Sequence, residues 1–213
     1  IRDRGYAMRA DELGVDIIQN CEVKKIRTSK GKVQGVETSK GFIRSNRVGV
    51  VASGHTSVLA ATAGIKLPLQ SKALQALVSE PIKPVINTVV MSNAVHAYVS
   101  QSDKGELVIG AGTDGYNSYT QRGGYNIIED TIRAIVELYP IFGKMKMLRQ
   151  WGGIVDITPD ASPILSKCEV EGLYFNCGWG TGGFKATPGS ANVFAHTIAK
   201  NKAHKINAPF SVD

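Results

Sequence analysis

Hydrophobic positions follow a strand-like period through most of the chain and shift to a helical period in four places. Tyr6, Ala7, Ala10, Leu13 and Val15 recur at roughly helical spacing, and Gly14 supplies a stop, so the chain opens on a helix. Residues 15–18 then read as a strand. Residues 23–26 and 33–37 read as a hairpin around Ser29-Lys30-Gly31-Lys32, with a short strand at 42–43 after the Lys40-Gly41 turn. The nearly continuous β-branched run at 47–52 predicts a buried strand. A short helix at 56–63 follows it, ended by Gly64. Strands at 73–79, 88–91, 97–100 and 106–109 form an antiparallel meander. A helix at 127–138 has an apolar stripe of Ile128, Ile132, Ile135, Val136 and Leu138, and Pro140 closes it. Strands at 150–155 and 173–176 and a last helix at 188–199 complete the pattern, which predicts an α+β fold of about two layers.

Composition narrows the function classes. With 213 residues and 43% hydrophobic content the chain suits one or two globular domains. No apolar run approaches the roughly 20 residues of a membrane span. The formal net charge of +7 allows attraction to an anion, but the Lys and Arg residues are scattered and a solubilising role is favoured. Lys24, Lys25, Arg27, Lys30 and Lys32 surround the hairpin, and Lys200, Lys202 and Lys205 sit in a polar tail. No basic stripe is interleaved with aromatics, which argues against nucleic acid. Three cysteines without a CxxC spacing argue against a disulfide framework or a zinc site and suit a reducing, cytoplasmic compartment. Residue 1 is Ile and no signal peptide is visible, so an upstream segment is expected.

Three glycine clusters compete as ligand loops. Gly110 to Gly115 matches GxGxxG, yet Tyr116 to Gly124 after it reads as loop and not as the helix a dinucleotide fingerprint must open; a strand end is favoured. Residues 50–55 end a strand in Ala52, Ser53 and Gly54, small enough for a ligand to approach the backbone, as many strands of this type do. The third cluster is Gly178-Trp179-Gly180-Thr181-Gly182-Gly183-Phe184-Lys185. Its spacing is wrong for a nucleoside triphosphatase. It follows a strand and leads to a helix that Thr187 would cap and Pro188 would begin, so free amides and Lys185 would stabilise negative charge on a bound group. The plainer alternative is a Gly-rich turn beside a solvated Lys. His96 and Tyr98 are weaker pocket candidates against an ordinary strand face. Arg149 is a candidate phosphate contact or a surface ion pair. Asp156 and Asp160 are a candidate acid–base pair, with a turn role favoured for Asp160. His55, His196 and His204 lack metal-ligand spacing.

"GVDIIQNCEVKKI", "GKVQGVET" and "VGVVASGHTSVLAATAGIKLPL" resemble the middle of the D-amino-acid oxidase-like FAD-dependent oxidoreductases. "LQALVSEP", "VVMSNAVHAYVSQSDKGELVIGAGTD", "RQWGGIVDITPDASPIL" and "LYFNCGWGTGGFKATPGSANVFAHTIA" resemble the β subunits of the heterotetrameric sarcosine oxidases within that family. The resemblance implies residues 1–72 and 151–213 as parts of an FAD-binding domain and 73–150 as a substrate domain. Val23 resembles the adenine-side contact. Gly180, Gly183 and Lys185 resemble the flavin-loop contacts, with Thr181 and Gly182 beside them, and Ala52 and Gly54 fall at the strand end nearby. Lys185 also resembles the Lys that faces the substrate carboxylate in monomeric relatives. Those relatives attach FAD through a Cys before "TPD"; "QWGGIVDITPD" has none, which implies non-covalent FAD. A His carrying covalent FMN and the GxGxxG segment would lie upstream of residue 1. The implied reaction is oxidation of sarcosine to glycine, with peroxide formed and one carbon passed to tetrahydrofolate in a companion subunit. A related dimethylglycine or glycine oxidase, or a non-catalytic piece that packs against partner subunits, are the alternatives.

Overall fold

The computed structural model describes residues 2–212. Helix α1 (Arg2–Glu12) is followed by Gly14 at φ +82°, whose amide bonds the Asp11 carbonyl at 2.8 Å. The helix is as expected, but Tyr6 and Met8 stay exposed. Residues 15–18 do not form the expected strand. No neighbouring strand pairs with them, and Val15, Ile17 and Ile18 remain about half exposed.

Strands β1 (Val23–Ser29), β2 (Lys32–Thr38) and β3 (Gly41–Arg44) form an antiparallel sheet in that order. Lys30 and Gly31 both have positive φ, the backbone a two-residue hairpin turn needs to match strand twist. Ile26 and Val33 of this hairpin are buried side chains that face the first core, and Gly35 is buried beside them in β2.

The second sheet joins distant segments. β4 (Val48–Val50) runs parallel to β11 (Leu173–Cys177), and β11 runs antiparallel to β10 (Ile164–Lys167). The run predicted at 47–52 pairs over only three residues. Ser53 turns into the left-handed region at φ 45°, and Val51 is 65% exposed. Every residue of β11 is buried. Leu173, Phe175 and Cys177 enter one core with Ile26, Val50, Ala60 and Ile164; Tyr174 enters another with Leu165, Val193 and Phe194. β10 has no counterpart among the predicted strands. Helix α2 (Thr56–Thr62) contributes Ala60 to the first core.

The third sheet is antiparallel in the order β6 (Val90–Ser92), β7 (Ala97–Gln101), β8 (Glu106–Thr113), β5 (Gln70–Pro81), β9 (Met147–Ile157). Only β6, β7 and β8 form the expected meander; β5, longer than expected, pairs not with β6 but with β8 and β9. One face carries Leu77, Ala97, Val99, Leu107 and Ile109 against Ala134 and Ile135 of α3 (Tyr125–Leu138) and against Phe142. On the other, the register aligns Met91, Tyr98, Gly110, Ala76 and Trp151 in one row across all five strands. Helix α4 (Gly183–Lys200) closes the chain. It starts five residues before the predicted position. Pro188 therefore lies inside it, and Thr187 donates its hydroxyl to the Gly183 carbonyl at 2.8 Å in place of capping. Pro188 is the sixth residue of the helix, so it removes one ladder bond there. The fold is α+β, with a small mixed sheet and a larger antiparallel one.

Candidate functional site

Strand β11 delivers the chain, fully buried, to Gly178 at φ +75°. There the backbone breaks into a short 3-10 turn, Gly180–Gly182, and runs straight into α4. Gly178 needs its missing side chain: a Cβ would also press on the Thr158 methyl at 2.8 Å. Gly180 needs it for φ +50°. Gly182 is different. Its φ of −86° suits any residue, and a Cβ there would meet no protein atom within 4 Å. Nothing inside the chain calls for glycine at that position.

This turn borders a cavity of about 470 Å³. Its apolar wall comes from α4 through Ala191, Phe194 and Ile198, and Val51 at the end of β4 adds to it. The polar wall is Ser53, Asp156, Asn176 and Trp179, with Gly180 and Gly183 at the loop. Trp179 donates its indole N–H to the Asn176 carboxamide oxygen at 2.6 Å, fixing both side chains. Asp156, 3% exposed, accepts from the Gly178 amide at 2.5 Å and from the Ser53 hydroxyl at 3.4 Å. The Ser53 hydroxyl also reaches the Ile154 carbonyl at 3.1 Å. Burial, reinforced by Asp156, pushes the Cys177 thiol up to about 12, so Cys177 is protonated and inert at neutral pH.

Lys185 lies in the first turn of α4, exposed, with no hydrogen bond or ion pair among the described residues, and it is not one of the residues that border the cavity. A cation in the first turn opposes the helix dipole. Thr181 is exposed beside it. Val23 opens β1 opposite Thr38, away from the cavity wall. Ala52 packs against the first core. Gly54 is buried with no room for a Cβ against Ile154, which explains that glycine by packing.

The weaker candidates scatter. His96 is an exposed turn residue at φ +51° ahead of β7, not a strand residue. Tyr98 lies across Gly110, where a Cβ would come within 2.7 Å of its hydroxyl, and burial pushes its phenol up. Arg149 sits over the Trp151 ring at 5.9 Å, within cation–π range. Asp156 and Asp160 do not pair: Asp160 accepts from the Ser162 amide at 3.0 Å in its own turn, which holds its carboxyl below the usual range. The GxGxxG match lies in β8 and the loop after it, and the next helix begins only at Tyr125, so the strand-end reading holds. The His55 ring lies 5.2 Å from that of Tyr119 at a 42° tilt, and His196 meets His204 edge-on. Among the described residues no three His, Cys, Asp or Glu side chains gather as a metal site, and no helix is long and apolar enough to cross a membrane. Sequence reasoning missed Ser53, Asn176 and Trp179 as cavity residues. The one available signal was a lone carboxylate, Asp156, inside the apolar run Ile154 to Ile157.

A Gly-rich loop between a buried strand and a helix N-terminus, with side chains only at Trp179 and Thr181, offers its backbone to a group of negative character. The chain matches the FAD dependent oxidoreductase family over residues 3–197 and belongs to it. It is 58% identical over 196 residues to the sarcosine oxidase subunit beta of Rhodobacter capsulatus, covering 92% of this chain and 47% of that protein. It is 57% identical over 208 residues to the sarcosine oxidase subunit beta of an Arthrobacter species, covering 98% and 51%. The L-proline dehydrogenase of P. horikoshii superposes with a TM-score of 0.89 at 26% identity, covering 98% of this chain and 57% of that one. The chain thus spans about half the length of the curated relatives it matches.

Proposed function

We propose that the full-length protein is a flavin-dependent amine oxidoreductase that oxidises sarcosine, with FAD bound non-covalently and partly by this chain. The observation that carries this reading is the Gly-rich turn Gly180–Gly182 at the start of α4: a Cβ on Gly182 would meet no protein atom within 4 Å, which leaves its backbone open to a flat ring. The relatives named as sarcosine oxidase subunits support the substrate. In this reading the loop residues Gly180, Thr181, Gly182 and Gly183 lie against the flavin ring, the Gly182 amide itself being taken by the Trp179 carbonyl, Val23 serves the adenine side, and Ala52 and Gly54 form the strand end near it. Residues 1–72 and 151–213 belong to the FAD-binding domain and 73–150 to the substrate domain, with β9 carrying the substrate sheet on to Ile157. FAD, when bound, accepts a hydride equivalent from the amine.

Lys185 supplies the positive charge. Placed against the dipole of α4 and without an internal partner, it gains most if an anion sits beside it: the substrate carboxylate, or charge developing on the flavin. The products are glycine, peroxide and a one-carbon unit taken by tetrahydrofolate on a companion subunit, with FMN on an upstream His as second flavin and a cytoplasmic setting. Flavin absorbance and a screen of sarcosine, dimethylglycine and glycine with peroxide detection test this on the full-length protein. Sarcosine should bleach the flavin fastest. A protein that binds FAD yet is reduced by none of the three contradicts the proposal.

A further inference from the structure

Three segments far apart in sequence meet at one buried carboxylate. Asp156 ends β9, Ser53 turns out of β4, and Gly178 leaves β11. One oxygen of Asp156 accepts the Gly178 amide at 2.5 Å; the other, 3.4 Å from the Ser53 hydroxyl, shares that single proton with the nearer Ile154 carbonyl at 3.1 Å. Among the described residues no Lys or Arg forms an ion pair with it. A carboxylate buried without a cation is costly unless its hydrogen bonds are good, and a neutral carboxamide could span the same gap more cheaply. Ser53 and Gly178 both hold left-handed backbone at this junction, φ 45° and φ 75°. Strain in a non-glycine residue persists only where its surroundings over-determine it. Asp156 also borders the cavity.

We propose that Asp156 is a positioning residue: its carboxylate locks the Gly178–Gly183 loop onto the five-stranded sheet and sets a fixed negative charge in the cavity wall. Its role toward a flavin rests on the FAD reading above; its role in holding the loop does not. The geometry explains why a loop so rich in glycine still holds one shape. Gly-rich backbone is conformationally free, and the short bond to Gly178 fixes the peptide from which the 3-10 turn starts. The Gly182 amide then closes on the Trp179 carbonyl at 2.8 Å. Because Asp156 stands on β9, a displacement of the substrate-side sheet moves the loop with it.

The test compares Asp156→Ala, Asp156→Asn and Ser53→Ala in the full-length protein, read first by hydrogen exchange. Losing a charge-assisted hydrogen bond should raise amide exchange over residues 178–183 by about tenfold or more in Asp156→Ala, with β5 and β8 unchanged. Asp156→Asn keeps an acceptor for Gly178 and should stay within about threefold, with Ser53→Ala between them. FAD titration should follow the same ranking, and Asp156→Asn should move the flavin midpoint potential to more positive values, since it removes a negative charge near a ring that gains electrons. Wild-type exchange in Asp156→Ala overturns the proposal, as does an unshifted potential in an FAD-loaded Asp156→Asn. If Asp156→Ala fails to fold, unaltered exchange in both Asp156→Asn and Ser53→Ala overturns it. A wild-type protein that binds no FAD defeats the flavin reading instead, and the exchange data still decide the role in holding the loop.

Discussion

The five-stranded sheet buries one face under α3 and leaves the other open, with Met91 66% and Trp151 42% exposed. The smaller sheet is covered on both faces at its central strand, where β11 alternates Leu173, Phe175 and Cys177 into one core and Tyr174 into another. The larger sheet is held by length: β5 pairs along nearly all of β9. The smaller one has only a three-residue and a four-residue neighbour beside β11 and is held by side-chain burial. Rigidity concentrated in one buried strand lets the chain end that strand in bare glycines without losing its place. The open sheet face and the Gly-rich loop are therefore different kinds of exposure: the first is a surface, the second borders a cavity and is the seat proposed for the flavin.

The largest expected effect comes from the strand that supports the seat. Phe175→Ala should cost about 3–5 kcal/mol by urea denaturation and release bound flavin with it, whereas Trp151→Ala on the open face should cost far less. Equal losses would erase the distinction between the sheets. Gly54→Ala comes next. Its Cβ would collide with Ile154, so stability should fall by about 1–3 kcal/mol, measured as a lower midpoint. Lys185→Met should leave stability within about 0.5 kcal/mol while slowing flavin reduction by sarcosine at least about tenfold in stopped flow. The last effect shows only at high pH. The Cys177 thiol is raised from 9.0 to about 12 in the folded state. Its contribution to stability is thus full below 9.0 and is lost as pH climbs toward about 12, because the unfolded chain releases that proton first. Cys177→Ala should flatten the alkaline fall in stability; an unchanged slope would show that the thiol titrates normally.

How much of this could be read from the residues depends on range. The hairpin was legible because Lys30-Gly31 encodes its turn locally, and α3 because Ile128, Ile132 and Ile135 mark one face. Residues 15–18 have strand chemistry but no neighbour, and a ladder cannot be seen from one side. β10 escaped notice because four residues behind Pro163 carry no period of their own; it exists only by pairing with β11. The start of α4 was misplaced because glycine and proline weaken helix propensity, while the actual helix accepts both in its opening turns. The Gly-rich loop was legible by composition. Its anchor was not: Ser53 and Asp156 lie 103 residues apart, and only the fold brings them together.

Gly182 offers the most direct test of the seat. A leucine there suits the local backbone and its Cβ meets no protein atom within 4 Å, so the full-length Gly182→Leu protein should melt within about 2 °C of wild type. Its flavin absorbance after incubation with FAD should nonetheless be lost. A stable Gly182→Leu protein that keeps the wild-type flavin spectrum would mean that no cofactor rests on this loop.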